Sequence, residues 1–242
     1  MSKKDIELKL ERNERMAEMI GIILGDGHLH KRNEHNYNYS ALIISLNQTD
    51  DPEYVTYVKV LMQQLFGQEP KLHKRKGTKG IDLRLYGDNL VEELIALGLE
   101  TGDKVKNQVK VPNWIKREKT WISEHSNQWF RTYRSLVICC IKGLLDKDGS
   151  IYLARRDKTI GIIFKNASYP LVLDFKEMCE SLGIRIGKII TTWNKAPSTG
   201  KRYKAYHAQI QAKEQVNNFL EIINPMKWKY KKEGLLNELK EL

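Results

Sequence analysis

The chain of 242 residues contains the same nine-residue pattern twice. MIGIILGDG occupies positions 19–27 and IKGLLDKDG occupies positions 141–149. In both copies glycine is third, aliphatic residues are fourth and fifth, aspartate is eighth and glycine is ninth. The two aspartates, Asp26 and Asp148, are 122 residues apart, which is about half the chain. Such a spacing predicts two similar folding units, each with the pattern near its start.

The hydrophobic periodicity after each pattern predicts the same order of elements, αββαββα. In the first unit the predicted strands are 27–31, 39–48, 71–79 and 81–86, and the helices that follow the motif helix are 52–66 and 89–97. In the second unit the strands are 150–155, 159–165, 187–193 and 203–211, and the helices are 171–182 and 214–223. A terminal helix is expected from Lys227 onward. The prediction is an α+β fold of two pseudo-symmetric repeats, 1–112 and 135–242, joined by an ordered linker at 113–134.

The charge balance points to a polyanionic partner. Lys and Arg total 41 against 30 Asp and Glu, a net charge of +11 that falls in short clusters along the chain, which favours a structured surface for nucleic acid. Only three cysteines occur, and Cys139 and Cys140 are neighbours, so a reducing compartment is expected. No apolar run could cross a membrane and the N-terminus lacks a secretory signal. We therefore expect an intracellular protein, in the cytoplasm or an organelle matrix.

Small residues follow one face of each motif helix. Ala17, Gly21 and Gly25 are spaced by four residues, and Cys139 and Gly143 repeat the arrangement in the second unit. Such a stripe allows two helices to pack with their backbones almost in contact. The two motif helices are therefore predicted to pack against each other.

Asp26 and Asp148 are predicted to lie at the C-terminal ends of these helices, followed by Gly27 and Gly149 in the left-handed conformation that closes a helix. A carboxylate is disfavoured at the negative end of a helix dipole. Taken singly, each aspartate is an ordinary turn residue. If the helices pack side by side, two carboxylates converge and a hard divalent cation is expected, Mg²⁺ with Mn²⁺ as the alternative.

The two patterns resemble the paired LAGLIDADG motifs of the homing endonucleases, in particular the single-chain members with two repeats. The resemblance covers nearly the whole chain and implies that each repeat is a curved antiparallel sheet backed by helices, with the motif helices forming the interface. It implies that Asp26 and Asp148 bind the catalytic metal, with the backbone carbonyls of Gly25 and Lys147 as further ligands.

The activity that this resemblance implies is a metal-dependent, site-specific endonuclease for double-stranded DNA. Such an enzyme is a monomer, reads a long target and cuts both strands to leave short 3′ overhangs. No splicing domain flanks the chain, so an intron-encoded protein is the expected origin. Two alternatives on the same scaffold stay open: a maturase that binds its intron RNA, and a DNA-binding regulator that has lost cleavage.

The two motif copies differ at two positions. The sixth place holds Leu24 in one copy and Asp146 in the other, and the seventh holds Gly25 and Lys147. Asp146 is interpreted as a packing or surface residue, because it lies two residues before Asp148 and points elsewhere on the helix. The halves are therefore not equivalent, which favours an asymmetric target.

The family resemblance also implies basic or polar groups around the metal. Lys104 follows Asp26 by 78 residues and Lys229 follows Asp148 by 81, so these are the candidate lysines. Gln48 and Lys165 end the second strand of each repeat and are candidates for ordering water. Asn47 or Asn166 could serve instead if the strand register differs by one residue.

DNA contacts are expected from the strands, where apolar and polar residues alternate. Ile81, Leu83 and Leu85 alternate with Asp82, Arg84 and Tyr86, as in a sheet that covers helices on one face. In 203–211 the buried face is left undecided. His28 and His30 have no cysteine nearby, so a structural zinc is not expected. The predicted DNA-binding residues are His28, His30, Arg32, Lys74, Lys76, Arg84, Arg155, Lys195, Arg202 and Lys204.

Overall fold

The computed structural model describes residues 9–31, 39–49, 51–75, 77–116, 127–154, 158–195 and 200–240, with backbone only for 127–132. The helices are α1 (Glu14–Asp26), α2 (Pro52–Phe66), α3 (Asp88–Ala96), α4 (Lys104–Asn107), α5 (Asn127–Asp148), α6 (Tyr169–Ser181), α7 (Lys213–Ile223) and α8 (Met226–Lys240). The strands are β1 (Gly27–His30), β2 (Ala41–Asn47), β3 (Lys71–Lys74), β4 (Gly80–Tyr86), β5 (Gly149–Ala154), β6 (Thr159–Asn166), β7 (Ile190–Lys195) and β8 (Arg202–Ile210).

The strands form two antiparallel sheets of four strands with the same topology. Their orders are β1-β2-β4-β3 and β5-β6-β8-β7. The registers correspond as well: Gly27 pairs with Ile44 as Gly149 pairs with Phe164. The α+β fold of two repeated units is thereby confirmed, and equivalent positions of the two halves can be read directly from the strand pairing.

The motif helices α1 and α5 pack with their backbones in contact, as the small-residue stripe predicts. A Cβ built on Gly21 would lie 2.4 Å from the carbonyl oxygen of Cys140, and one on Gly143 would lie 2.2 Å from that of Glu18. Ala17 is fully buried in the same contact zone. Because atoms cannot approach so closely, only glycine is tolerated at Gly21 and Gly143 without separating the helices.

Gly27 and Gly149 do not adopt the left-handed conformation that the sequence predicts. Gly27 has φ −90° and ψ 164°, and neither glycine has positive φ. Their lack of a side chain serves close packing: a Cβ on Gly27 would lie 2.7 Å from Ile23 Cα, and one on Gly149 would lie 2.6 Å from the carbonyl oxygen of Leu145. Each motif helix therefore passes directly into the first strand of its sheet.

One face of each sheet covers the helices and the other, which we call the open face, does not. Leu83 and Leu85 of β4 are buried on the helix side, and the intervening Arg84 lies on the open face. In β8 Ala205, Ala208 and Ile210 are buried. Ala208 and Ile210 pair with Phe164 and Ile162 of β6 and share their side of the sheet, which settles the face that the sequence left undecided. Phe164 stacks on Phe175 of α6 with 4.4 Å between ring centroids, so the second sheet packs on its helix through aromatic rings.

Several element boundaries differ from the sequence predictions, three of them by the most, and α4 was not predicted. β3 ends at Lys74, because the chain reverses through Gly77, whose φ is +72°. β7 begins at Ile190, three residues later than predicted. α5 begins at Asn127, inside the range assigned to the linker, and 117–126 lie outside the described residues.

The first part of the linker packs on the first repeat. The indole nitrogen of Trp114 donates to the carbonyl oxygen of Leu97 at 2.9 Å, and Ile115 is fully buried. The three cysteines are free thiols. Within the described part of the chain, no helix has the length and apolarity that crossing a membrane requires.

Candidate active site at the paired helix ends

Asp26 is the last residue of α1 and Asp148 is the last residue of α5. Because the two helices run side by side, the structure brings both motif acids to one end of the helix pair. The carboxyl carbon of Asp148 lies 3.7 Å from the position a Cβ on Gly25 would occupy, one residue before Asp26. The convergence that the repeat predicts is present.

Asp148 is the more enclosed of the two acids. The pKa of the Asp148 carboxyl is raised to about 6, mainly by burial and secondly by the negative charge of Asp26. Its Oδ2 accepts a hydrogen bond from Asn166 Nδ2 at 2.5 Å. At the end of β6 it is therefore Asn166, rather than Lys165, that contacts the acid. Lys165 instead donates to Asn194 Oδ1 at 3.1 Å.

Asp26 has a cationic partner. Lys147 Nζ lies 2.8 Å from Asp26 Oδ2, and the Lys147 side chain is 7% exposed against 45% for Asp26. The motif resemblance assigns only the backbone carbonyl of Lys147 to the site. The side chain was not foreseen, although a lysine where the first copy has glycine was a visible signal.

Lys104 lies on the C-terminal end of α1. Its Nζ donates to the carbonyl oxygens of Ile23 at 3.3 Å and Leu24 at 3.0 Å, and also to that of Gly25. The last carbonyls of a helix generally lack an N–H partner within the helix, although the carbonyl oxygen of Ile23 also accepts from the Gly27 N–H. Asp103 caps α4, because its Oδ1 accepts from the Val105 amide at 2.9 Å. Lys104 thus lies beside the acids as predicted, and burial lowers the pKa of its ammonium.

Lys227, not Lys229, has the equivalent position on α5. Lys227 Nζ donates to the carbonyl oxygens of Lys147 at 3.1 Å and Gly149 at 2.7 Å. Lys229, the residue assigned from the sequence, is exposed on α8. The spacing agrees better with Lys227, which follows Asp148 by 79 residues, against 78 in the first half. Burial also lowers the pKa of the Lys227 ammonium.

Asp146 holds Lys227 in this position. The Asp146 side chain accepts from the backbone amides of Met226 at 3.0 Å and Lys227 at 2.8 Å, and so caps the start of α8. It is 3% exposed, and burial raises the pKa of its carboxyl to about 6. Asp146 is therefore a buried capping residue and not a surface residue.

A cavity of about 340 Å³ adjoins the Asp26 side of the site. Asn47, Tyr54 and Lys227 line it together with Asp26 and Lys147. The hydroxyl of Tyr54 is buried and has no hydrogen-bond partner among the described residues. A buried unpartnered hydroxyl points to water or a ligand atom in the cavity.

The donor atoms at the helix ends suit a hard divalent cation. Within the described ranges no group of three or more His, Cys, Asp or Glu could hold a metal ion, so an ion at Asp26 and Asp148 would need other ligands as well. Backbone carbonyls, water and phosphate oxygens would complete an oxygen shell of the kind that Mg²⁺ and Mn²⁺ accept. The carbonyls of Gly25 and Lys147 already accept from Lys104 and Lys227. The carboxylate pair thus fits the ion better than these carbonyls do.

The open face of the first sheet continues from this site. His28 and His30 lie on it with their Nε2 atoms 2.7 Å apart. Burial and the neighbouring His30 lower the pKa of His28 to about 4, so its ring is neutral at physiological pH. These two predicted DNA-binding residues are in contact with each other on the expected face.

Asp82 organises the centre of this open face. It is 4% exposed and forms ion pairs with Arg84 at 2.8 Å and Arg75 at 2.7 Å. It also accepts from Ser45 Oγ at 3.1 Å. Arg84 was predicted as a DNA contact. Arg75 was not, although it stands in the basic stretch between two lysines that were.

The other predicted DNA-binding residues are arranged differently. The strand register places Lys74, Lys195, Arg202 and Lys204 on the face opposite the open one, and all four are exposed. Lys204 lies over the ring of Trp193 at 5.6 Å. Gln48 is exposed in the turn after β2, whereas Asn47 lines the cavity. Arg32, Lys76 and Arg155 lie outside the described residues.

Comparisons with known proteins agree with this architecture. A sequence model of the LAGLIDADG-like domain matches residues 135–224. The solved structure of the homing endonuclease I-DmoI, in mesophilic variants, superposes with a TM-score of 0.52 at 17% identity over 87% of this chain and 96% of that one. Matching I-DmoI variants were crystallised with target DNA in the presence of Mn or Mg.

Two further matches are a solved structure and a sequence relative. Full-length DUF199/WhiA from Thermatoga maritima superposes with a TM-score of 0.51 at 13% identity, over 94% of this chain and 61% of that one. A DNA polymerase of Methanocaldococcus jannaschii is 24% identical over 234 residues, which are 92% of this chain and 12% of the polymerase. The chain therefore spans only a small part of that relative's length.

Two units of the same topology, with one acid from each at the paired helix ends, give this chain the architecture of the solved structures that it matches. Residues 135–224 form a LAGLIDADG-like domain, and the whole chain has the fold of the LAGLIDADG homing endonucleases. The family resemblance carried by the two motifs is thereby confirmed.

Proposed function

We propose that this protein is a site-specific endonuclease that hydrolyses double-stranded DNA with a divalent metal ion. The observation that carries the proposal is the composite site at the ends of α1 and α5. There, Asp26 and Asp148 meet, and a lysine ammonium from each half lies on the adjoining helix end. A protein that only binds DNA has no use for two clustered carboxylates facing a polyanion.

Asp26 and Asp148 would hold the metal ion, which would supply an activated water and polarise the scissile phosphate. Hydrolysis joins the water oxygen to phosphorus and breaks one phosphorus–oxygen bond, so negative charge grows on the phosphoryl and leaving oxygens. Lys104 and Lys227 are fixed by the carbonyl oxygens they contact and can stabilise that charge.

One acid and one lysine per half favour one cut in each strand. The unequal open faces favour a long asymmetric target, with Arg84 and Arg75 among the groups positioned for DNA. Cuts across the minor groove that leave short 3′ overhangs are the geometry the family resemblance implies. An intron-encoded monomer that uses Mg²⁺, or Mn²⁺ in its place, completes the proposal.

The test is to incubate the purified protein with Mg²⁺ and a library of long randomised duplexes, and to sequence the cut ends. EDTA and the Asp26→Asn, Asp148→Asn double variant serve as controls. We expect metal-dependent double-strand cuts at one long asymmetric consensus. Selective binding without cutting would contradict the proposal and favour the regulator, and binding to intron RNA alone would favour the maturase.

A further inference from the structure

Lys147 places a positive charge beside one of the two acids. Its Nζ is 2.8 Å from Asp26 Oδ2 and donates to the carbonyl oxygen of Ser45 at 3.3 Å. Asp148 instead accepts from the neutral amide of Asn166. The corresponding position of the first motif is Gly25, which has no side chain to extend toward Asp148. The charge of Lys104 acts on Asp148 and favours its ionised form, but Lys104 Nζ donates to the carbonyl oxygens at the end of α1.

The surroundings of Lys147 fix its ammonium on Asp26. The side chain is only 7% exposed, and Nζ lies 5.5 Å from the centroid of the Tyr54 ring, a cation–π distance. A Cβ on Gly25 would lie 2.5 Å from Lys147 Cβ. The glycine of one motif thus makes room for the lysine of the other.

We infer that Lys147 is an internal cation that competes with divalent metal for Asp26, so that metal is held more tightly on the Asp148 side than on the Asp26 side. The inference rests on the proposed function in taking both acids as metal ligands. An ammonium in contact with a carboxylate removes much of the negative potential that attracts a second cation. A metal ion at Asp26 must either displace Lys147 or bind next to a like charge.

The experiment measures Mn²⁺ binding to the metal-free full chain, from the electron paramagnetic resonance signal of the free ion. Lys147→Met keeps most of the aliphatic stem and removes the charge. We expect this variant to bind Mn²⁺ on the order of tenfold more tightly than the unmodified protein, or at an additional site. Adding Asp26→Asn to Lys147→Met is expected to abolish the gain.

Lys142→Met is the matched control. Lys142 lies on the same helix and pairs with Glu18 of α1 at 2.9 Å, across the same helix interface but away from Asp26. Its loss should leave Mn²⁺ binding unchanged. Lys147→Arg keeps the positive charge, so its Mn²⁺ affinity should stay as low as that of the unmodified protein. Lys147→Gln is a second uncharged variant for the case in which methionine disturbs folding.

Equal Mn²⁺ affinity and stoichiometry in the unmodified protein and both uncharged variants would overturn the inference, as would a failure of those variants to bind Mn²⁺. The result is separable from the proposed function. If Lys147→Met binds Mn²⁺ more tightly through Asp26 but the protein cuts no DNA, the competition stands and the proposed nuclease is refuted. If the protein cuts DNA with metal but the variant gains no Mn²⁺ affinity, the nuclease stands and the competition is refuted.

Discussion

The two halves of this protein present the same functional groups but support them differently. In the first half Lys104 lies on the end of α1, and its own neighbour Asp103 caps the short helix that carries it. In the second half Lys227 lies on the end of α5, and the cap is Asp146, from the motif helix itself. Pseudo-symmetry is therefore kept at the acids and the helix-end lysines and lost in the residues that position them.

The open faces of the two sheets diverge further. The strand pairings Ser45–Asp82 and Lys165–His207 occupy equivalent places. In the first sheet the buried Asp82 holds two arginines. In the second, the residue equivalent to Asp82 is His207, and burial and the charge of Lys165 lower the pKa of its ring. Two faces with such different polar groups suit two different half-sites of DNA.

The largest expected effect is the loss of cleavage on removing either acid. Asp26→Asn and Asp148→Asn should each reduce double-strand cleavage about a thousandfold or more while DNA binding survives, because metal binding and charge stabilisation are lost. If each half serves one strand, the two single variants should leave nicks in opposite strands. Sequencing gels of both labelled strands measure this. Cleavage at the original rate in either variant would contradict the composite site.

The lysines sharpen the comparison between the halves. Lys104→Met and Lys227→Met should each slow single-turnover cleavage about a hundredfold, since each removes a cation placed beside the acids. Lys229→Met, two residues along α8, should change the rate no more than roughly twofold, because an exposed lysine makes at most a phosphate contact. The reverse ranking of Lys227 and Lys229 would show that the helix-end contact is not the functional one.

The interface between α1 and α5 should be equally sensitive to a larger side chain on either helix. Gly21→Ala and Gly143→Ala should each lower the free energy of unfolding by about 1–3 kcal/mol or more, because the added methyl overlaps backbone of the partner helix. Gly234→Ala on α8 meets open space and should be neutral or stabilising by up to about 1 kcal/mol. Urea denaturation of the three variants measures the difference. A tolerated Gly143→Ala would mean the helices are further apart.

The smallest predicted effect concerns Asp148 without metal. Its folded-state pKa of about 6 lies above the usual value of 3.8, so the folded protein binds this proton more tightly and stability falls as pH rises from about 4 to about 6. Asp148→Asn has no carboxyl to ionise at this position and so avoids this fall in stability. In EDTA at pH 7 its free energy of unfolding should exceed that of the unmodified protein by about 1–2 kcal/mol. Asp146 keeps its own pH dependence in the variant. Unfolding curves at several pH values test this, and a less stable variant at pH 7 would refute it.

The sequence predicts the parts of this molecule that depend on local pattern. The helix at Pro52–Phe66 is found at its predicted residues, since a proline at its start and a left-handed glycine after it mark both ends. The convergence of Asp26 and Asp148 follows from the duplicated glycine stripe. Alternation along β4 correctly assigns Leu83 to the core and Arg84 to the open face.

The parts that were missed depend on contacts between distant residues. Lys227 rather than Lys229 reaches the site because Asp146, about 80 residues earlier, fixes where α8 begins. A periodicity cannot reveal that cap. The reach of Lys147 to Asp26 likewise depends on the crossing of two helices. Gly27 is a different case, because its constraint is the local contact with Ile23 in the preceding turn of α1. A glycine after a helix suits both a left-handed turn and this close contact, and the sequence does not distinguish the two.

The central claim is that a divalent metal ion binds at the adjoining ends of α1 and α5, where Asp26 and Asp148 converge, and that it binds more tightly on the Asp148 side. Crystals grown with Mn²⁺, measured at a wavelength where manganese scatters anomalously, test it most directly. We predict an anomalous peak at about 2 Å from a carboxylate oxygen of Asp148, with a weaker or absent peak at Asp26. Crystals without a manganese peak at either carboxylate, or with one only elsewhere, would contradict the account.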